Sequence, residues 1–216
     1  QVFTNLEMLH PAVSTRAVDG QWESNDTIGI SSTGMMDNMK FTRSGTSNQF
    51  VSASTVWFKD KGVRSFSAYY PYNANPTNDL IMFQVPDSAI QSKQKVNDFL
   101  FASGQASYAY PSLTLNFTHK MARVFIKIYP SPEYGFTTND FSGSILTFCD
   151  YFDSGTFNIK TGKVECSEES VSTGYFGEVK SSYMTFLLYV PAQTVPNIQL
   201  DLQNGEHYTF SINDKW

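Results

Sequence analysis

The strongest constraint on this chain is a period of two. In "VRSFSAYY" (Val63–Tyr70), Phe66, Ala68 and Tyr70 fall on one face while Ser65, Ser67 and Tyr69 fall on the other. Successive side chains of an extended backbone point to opposite sides, so this spacing marks a strand with one buried face. "SLTLNF" sets Leu113, Leu115 and Phe117 against Thr114 and Asn116, and "ARVFIKIY" sets Val124, Ile126 and Ile128 against Arg123 and Lys127. "DLIMFQV", "GSILTF", "YMTFLLYV" and "NIQLDL" complete the clearer strands, and turn-forming clusters such as "PYNANPTND", "YPSPEYG" and "IKTGKVE" separate them. Many short strands with frequent turns read as an all-β sandwich or barrel. An aromatic share of 15% points the same way, because aromatic rings suit a pleated, half-buried surface.

The segment around Asn204-Gly205 carries a choice of register. A two-residue turn would set Leu200 opposite Thr209. A three-residue loop, Gln203 to Gly205 with Gly205 left-handed, sets Leu200 opposite Tyr208 and Ile198 opposite Phe210. Only the second gathers apolar residues on one face, and it is the expected one. One stretch invites a helix, "DSAIQSKQKVNDFLFASG" (Asp87–Gly104), with a loose 3.6 period that predicts a short helix or an ordered loop. At 216 residues the chain has room for one large β domain or two of about 100 residues. Its longest apolar run, "FLLYV", is far short of the roughly 20 residues that a spanning helix needs.

The search for chemistry is mostly negative. His10, His119 and His207 lack the spacing of a metal motif, and neither a nucleophile elbow nor a glycine-rich phosphate loop is present. No cofactor and no enzymatic activity are expected. His119, between two apolar strands, reads as a structural histidine. Asp150 and Asp153 near Gly155 depart from calcium-loop spacing and read as a solvated turn. A net charge of -5, with basic residues scattered among acidic ones, argues against nucleic acid. Trp57 and the run Tyr69–Tyr72 are candidate stacking platforms for sugars, although strand aromatics more often fill a core. Cys149 and Cys166 are the only cysteines. They either remain free thiols or, in an oxidising compartment, close a loop worth about 3 kcal/mol. Arg16 sits in a polar stretch and is a candidate for proteolysis.

Several stretches together resemble the fimbrillin-like proteins, the subunits of type V pili on anaerobic gut and oral bacteria. They are "TRA" (Thr15–Ala17) with Trp22 and "NDTIGI", then "FSAYYPY", "LTLNFTHKMARVFIKI" and "LYVPAQTV" followed by "LQNGEHYTF". The resemblance implies two tandem transthyretin-like (Greek-key) β-sandwich domains, at residues 1–107 and 108–216 with a border near Tyr108. It implies a lipoprotein precursor exported to the outer membrane and cell surface, with the lipid anchor as its sole tie to the membrane. Trimming after an arginine near the N-terminus is implied as well, for which Arg16 is the candidate. It further implies partners, namely other pilus subunits joined by strand addition, and host or bacterial surface ligands.

The chain departs from that pattern in two places. No lipobox cysteine is present, which puts an anchor upstream of Gln1, and the family's closing aromatic strand would follow Trp216. Without that strand, Tyr208, Phe210 and Ile212 would form an open, strand-accepting edge. The alternative reading is a monomeric surface lipoprotein that binds glycans.

Overall fold

The computed structural model describes residues 2–6, 22–45, 48–193 and 197–211. Strand makes up 51% and helix 7%, as the period of two requires. The chain divides into two compact units. The first comprises Gln1–Ile81, Asp98–Lys120 and Phe157–Val164, and the second Met82–Asn97, Met121–Thr156 and Glu165–Trp216.

The first unit contains β1 (Val2–Leu6), β2 (Thr27–Ser32), β3 (Met36–Arg43), β4 (Gln49–Val51), β5 (Val63–Tyr70), β7 (Leu100–Ser107) and β8 (Leu113–His119). They hydrogen-bond in the closed order β1-β4-β3-β2-β5-β7-β8. β1 closes the ring, running parallel to β8 from Val2 opposite Leu113 to Leu6 opposite Phe117, and antiparallel to β4. The two layers of an expected sandwich are thus joined here into a barrel. The predicted inward face of β5 is correct: Phe66, Ala68 and Tyr70 are buried with Ile28, Ile30, Phe50, Leu115 and Phe117 around Trp22. The indole meets Phe50, Tyr70 and Phe117 edge-on, with ring centroids 5.0, 5.4 and 5.3 Å apart. Such pairs add about 0.5–1.5 kcal/mol each beyond the area they bury.

The expected border near Tyr108 does not hold. Tyr108–Ser112 follows a tight turn closed by Ser107 N–H to Tyr110 O (3.0 Å), and β8 then returns to pair with β7 and β1. Leu113, Leu115 and Phe117 belong to the barrel core, so the chain leaves this unit after Lys120 instead. The helical stretch is also shorter than its sequence suggests. Only α1 (Gln91–Gln94) and a 3-10 turn over Lys95–Asn97 form, and Leu100 already opens β7. Within the second unit the fully buried Gln94 amide donates to Pro86 O (2.9 Å) and Ser88 O (3.0 Å), which ties this helix down.

The second unit packs two sheets. One has the order β13-β10-β16-β17, from β10 (Ile145–Tyr151), β13 (Val171–Phe176), β16 (Asn197–Asp201) and β17 (His207–Ser211). The other has the order β14-β15-β9, from β9 (Ala122–Ile128), β14 (Glu178–Val179) and β15 (Met184–Val190). Leu146, Phe148, Tyr175, Ile198 and Leu200 from the first sheet share one core with Val124, Phe186, Leu188 and Val190 from the second. The remaining strands are β6 (Leu80–Gln84), β11 (Ser154–Asn158) and β12 (Val164–Cys166).

Candidate functional site

The β16–β17 hairpin adopts the three-residue register. Leu200 lies opposite Tyr208 and Ile198 opposite Phe210, while Gly205 takes φ +90. Only glycine enters that left-handed region without strain, and this pins the register. Cross-strand partners share a face, so Tyr208 and Phe210 point to the side on which Leu200 and Ile198 are buried. Leu200 and Ile198 are 2% and 4% exposed, whereas Tyr208 and Phe210 are 38% and 45% exposed. The difference arises because β17 is the last strand of its sheet among the described residues, and β9 is likewise an edge of the sheet it faces.

Between these edges lies an apolar groove of about 390 Å³. Ile128 at the end of β9 and Tyr129, Pro130 and Ser131 just after it line one side, with Phe136, Phe141, Leu200, Leu202, Tyr208 and Phe210 completing it. Phe136 meets Tyr208 edge-on, with centroids 6.3 Å apart, and the Tyr208 hydroxyl donates to Glu206 Oε2 at 3.2 Å. Desolvation, then that hydrogen bond and the nearby Glu206 charge, raise the phenol above its ordinary pKa. No side chain lining the groove is ionic. It offers apolar contact together with the outward backbone groups of β17, which have no strand partner among the described residues. Such an edge is suited to pairing with another strand.

The other predicted site residues fall elsewhere. Ile212 and Arg16 lie outside the described residues. Cys149 and Cys166 are free thiols, which corrects the disulfide expectation; Cys149 sits on β10 and Cys166 on β12, strands of two different sheets. Burial raises the Cys166 thiol pKa. The Tyr69–Tyr72 platform is also corrected. Tyr69 and Tyr70 are 1% and 4% exposed, and the Tyr70 hydroxyl donates to Asp26 Oδ1 at 3.1 Å. Trp57, at 77% exposed, stands at the lip of an apolar cavity of about 520 Å³ in the first unit that also reaches Ile30, Phe41 and Phe66.

His119 is structural, as expected: Nδ1 lies 2.6 Å from Oδ1 of the fully buried Asp98. The aspartate pair does not form a solvated turn. Asp150 is exposed with φ +52, but Asp153 is buried and accepts from the Thr173 hydroxyl at 3.3 Å. Sequence reasoning missed the role of β9 as the opposing edge. Its alternation shows a strand but not which neighbour the strand lacks.

A model of the fimbrillin-like family matches residues 15–216. A candidate fimbrium subunit of Bacteroides uniformis, Fim1C, is 28% identical over 179 residues, or 77% of this chain. The chain spans 57% of that relative's length. Among solved structures, candidate cell-adhesion proteins of Bacteroides uniformis and Bacteroides ovatus share the fold with TM-scores of 0.72 and 0.71, each at 21% identity. These matches cover 89% and 99% of this chain and 80% and 86% of the two solved chains.

Proposed function

The chain belongs to the fimbrillin-like family, and on that premise we propose that it is a non-enzymatic, structural and adhesive subunit of a cell-surface pilus. Assembly would proceed by strand addition, in which a strand from one subunit completes the sheet of another. The observation that carries this reading is the β17 edge, with Tyr208 and Phe210 half-exposed over the apolar groove. An extended segment with alternating apolar side chains would pair its backbone with β17 and fill that groove.

A second feature is consistent with it. β1 is held between β4 and β8, so cleavage after Arg16 would sever β1 from the rest of its barrel and free a slot one strand wide. The proposed precursor is an exported lipoprotein trimmed at Arg16, and an arginine-specific protease should then yield a new N-terminus at Ala17.

The direct test adds a synthetic peptide of alternating aromatic and polar residues to the monomer and follows thermal unfolding. A bound strand at a hundredfold excess over its Kd should add about 2.7 kcal/mol to the stability of the second unit. Strand addition is wrong if no alternating peptide raises the melting temperature and the β17 amides are already protected from exchange in the monomer.

A further inference from the structure

On the outer wall of the barrel the cross-strand register sets three serines in a row. Ser31 of β2 lies opposite Ser67 of β5, and Ser67 lies opposite Ser103 of β7. Paired residues share a face at a spacing of about 5 Å, and Ser65 stands on that same face of β5, two residues away. The next row, Gly29, Tyr69 and Phe101, is partly roofed: Tyr69 lies under Phe157 with ring centroids 6.2 Å apart. The segment that provides this roof also carries Lys160.

The small side chains leave a cleft of about 870 Å³, which is within the size range of ligand sites. Ser31, Ser32, Ser65, Ser67 and Ser103 line it, together with Asp37, Asp79, Lys59 and Lys160. Lys160 Nζ donates to Ser31 Oγ at 3.0 Å, pairs with Asp37 and stands 3.7 Å from Asp79 Oδ1. Lys160 thus joins Ser31 and Asp37 by hydrogen bonds and Asp79 by charge alone, and its hydrogen bond and charge hold the Asp37 carboxyl below its ordinary pKa.

We propose that this cleft is a binding site for a neutral saccharide. Each serine hydroxyl both donates and accepts, the carboxylates only accept and the ammonium groups only donate. That inventory complements a polyol, in which every hydroxyl does both. Two lysines and two aspartates line the cleft, so it carries no formal net charge and favours neither an anionic nor a cationic ligand. Met35, Met36 and Phe101 supply apolar contact for the C–H faces of a sugar ring. The site differs from the Trp57 cavity, which has no charged lining residue, and it does not depend on strand addition.

The test is an NMR titration of the folded chain with glucose, galactose, mannose, N-acetylglucosamine and their short oligomers. At least one should shift the amides of Ser31, Asp37, Ser67 and Ser103. Ser67→Val and Asp37→Asn, the latter at an exposed side chain, should each weaken binding about tenfold or more at an unchanged melting temperature, because a site built on hydrogen bonds loses a partner. Trp57→Ala should leave the affinity as it is. Any of three results overturns the proposal. They are cleft amides that move with none of the sugars, a uronic acid that binds more tightly than its neutral parent, and a Trp57→Ala variant that loses binding while the cleft variants retain it. None of these results bears on the peptide-induced stabilisation of the second unit.

Discussion

Leu200, Tyr208 and Phe210 lie on one face of one hairpin, so the cost of truncating them measures how open the groove is. Leu200 is 2% exposed and lies in the core of the second unit, and its replacement by alanine should cost about 2–5 kcal/mol. Fully burying a side chain such as Phe is worth about 1.5–3 kcal/mol, and Phe210 at 45% exposed has realised roughly half of that. Phe210→Ala leaves no closed cavity and should cost the monomer about 1 kcal/mol, as should Tyr208→Ala. A docked strand would bury the remaining half of both rings and gain about 2 kcal/mol from the pair, or roughly thirtyfold in affinity. The assay is urea unfolding of the monomers followed by circular dichroism, together with the affinity of each variant for the alternating peptide. The double variant Tyr208→Ala, Phe210→Ala should remain folded and bind at least tenfold more weakly. If Phe210→Ala destabilises the monomer as much as Leu200→Ala does, the groove is already filled and the reasoning fails.

Alkaline unfolding should report on the outer face of β5. Burial raises the Tyr69 phenol from 10.0 to about 12, so its contribution is complete below pH 10 and is lost as pH rises from 10 to 12. The loss from this phenol amounts to at most about 3 kcal/mol, and Tyr69→Phe should make the slope shallower without abolishing it, because burial also raises the Tyr70 and Tyr175 phenols; an unchanged slope would contradict the burial. Both cysteines should alkylate in the unreduced native protein without any change of mass on prior reduction, Cys166 slowly because its thiol is held protonated. A mass that rises on reduction would show a bond. His119→Ala should destabilise the first unit by about 1–3 kcal/mol, since it leaves the buried Asp98 carboxylate without its hydrogen-bond partner. An equal loss in Asp98→Asn, His119→Ala would mean that the orphaned charge is not the cause.

Local pattern was readable in the sequence where both partners of a contact lie close together. The period of two placed Phe66, Ala68 and Tyr70 inside, and Asn204-Gly205 fixed the pairing of Leu200 with Tyr208, because a hairpin register depends on its own turn. Features that depend on distant segments were not readable. Tyr69 shares its face with exposed Ser65 and is buried because Gly29 leaves room for its ring, Asn38 and Asn73 hold its hydroxyl and Phe157 arrives from far along the chain. The border near Tyr108 failed for the same reason, since a turn and a linker have similar composition and only pairing across the barrel shows that β8 belongs with β7. Alternation in Arg123–Ile128 marks β9 as a strand, but its place at an edge follows from how the sheet is assembled. The serine row was present in the sequence as three unrelated residues, and register alone aligns them.

The central claim is that the outer edge of β17 is an open acceptor for another strand, and amide hydrogen exchange at residues 207–211 tests it most directly. The outward-pointing N–H groups of this strand should exchange rapidly in the monomer while those bonded to β16 are slow, and the rapid set should become protected when an alternating peptide or a second subunit is bound. Uniform protection in the free monomer, or rapid exchange that persists in assembled pili, would contradict the account.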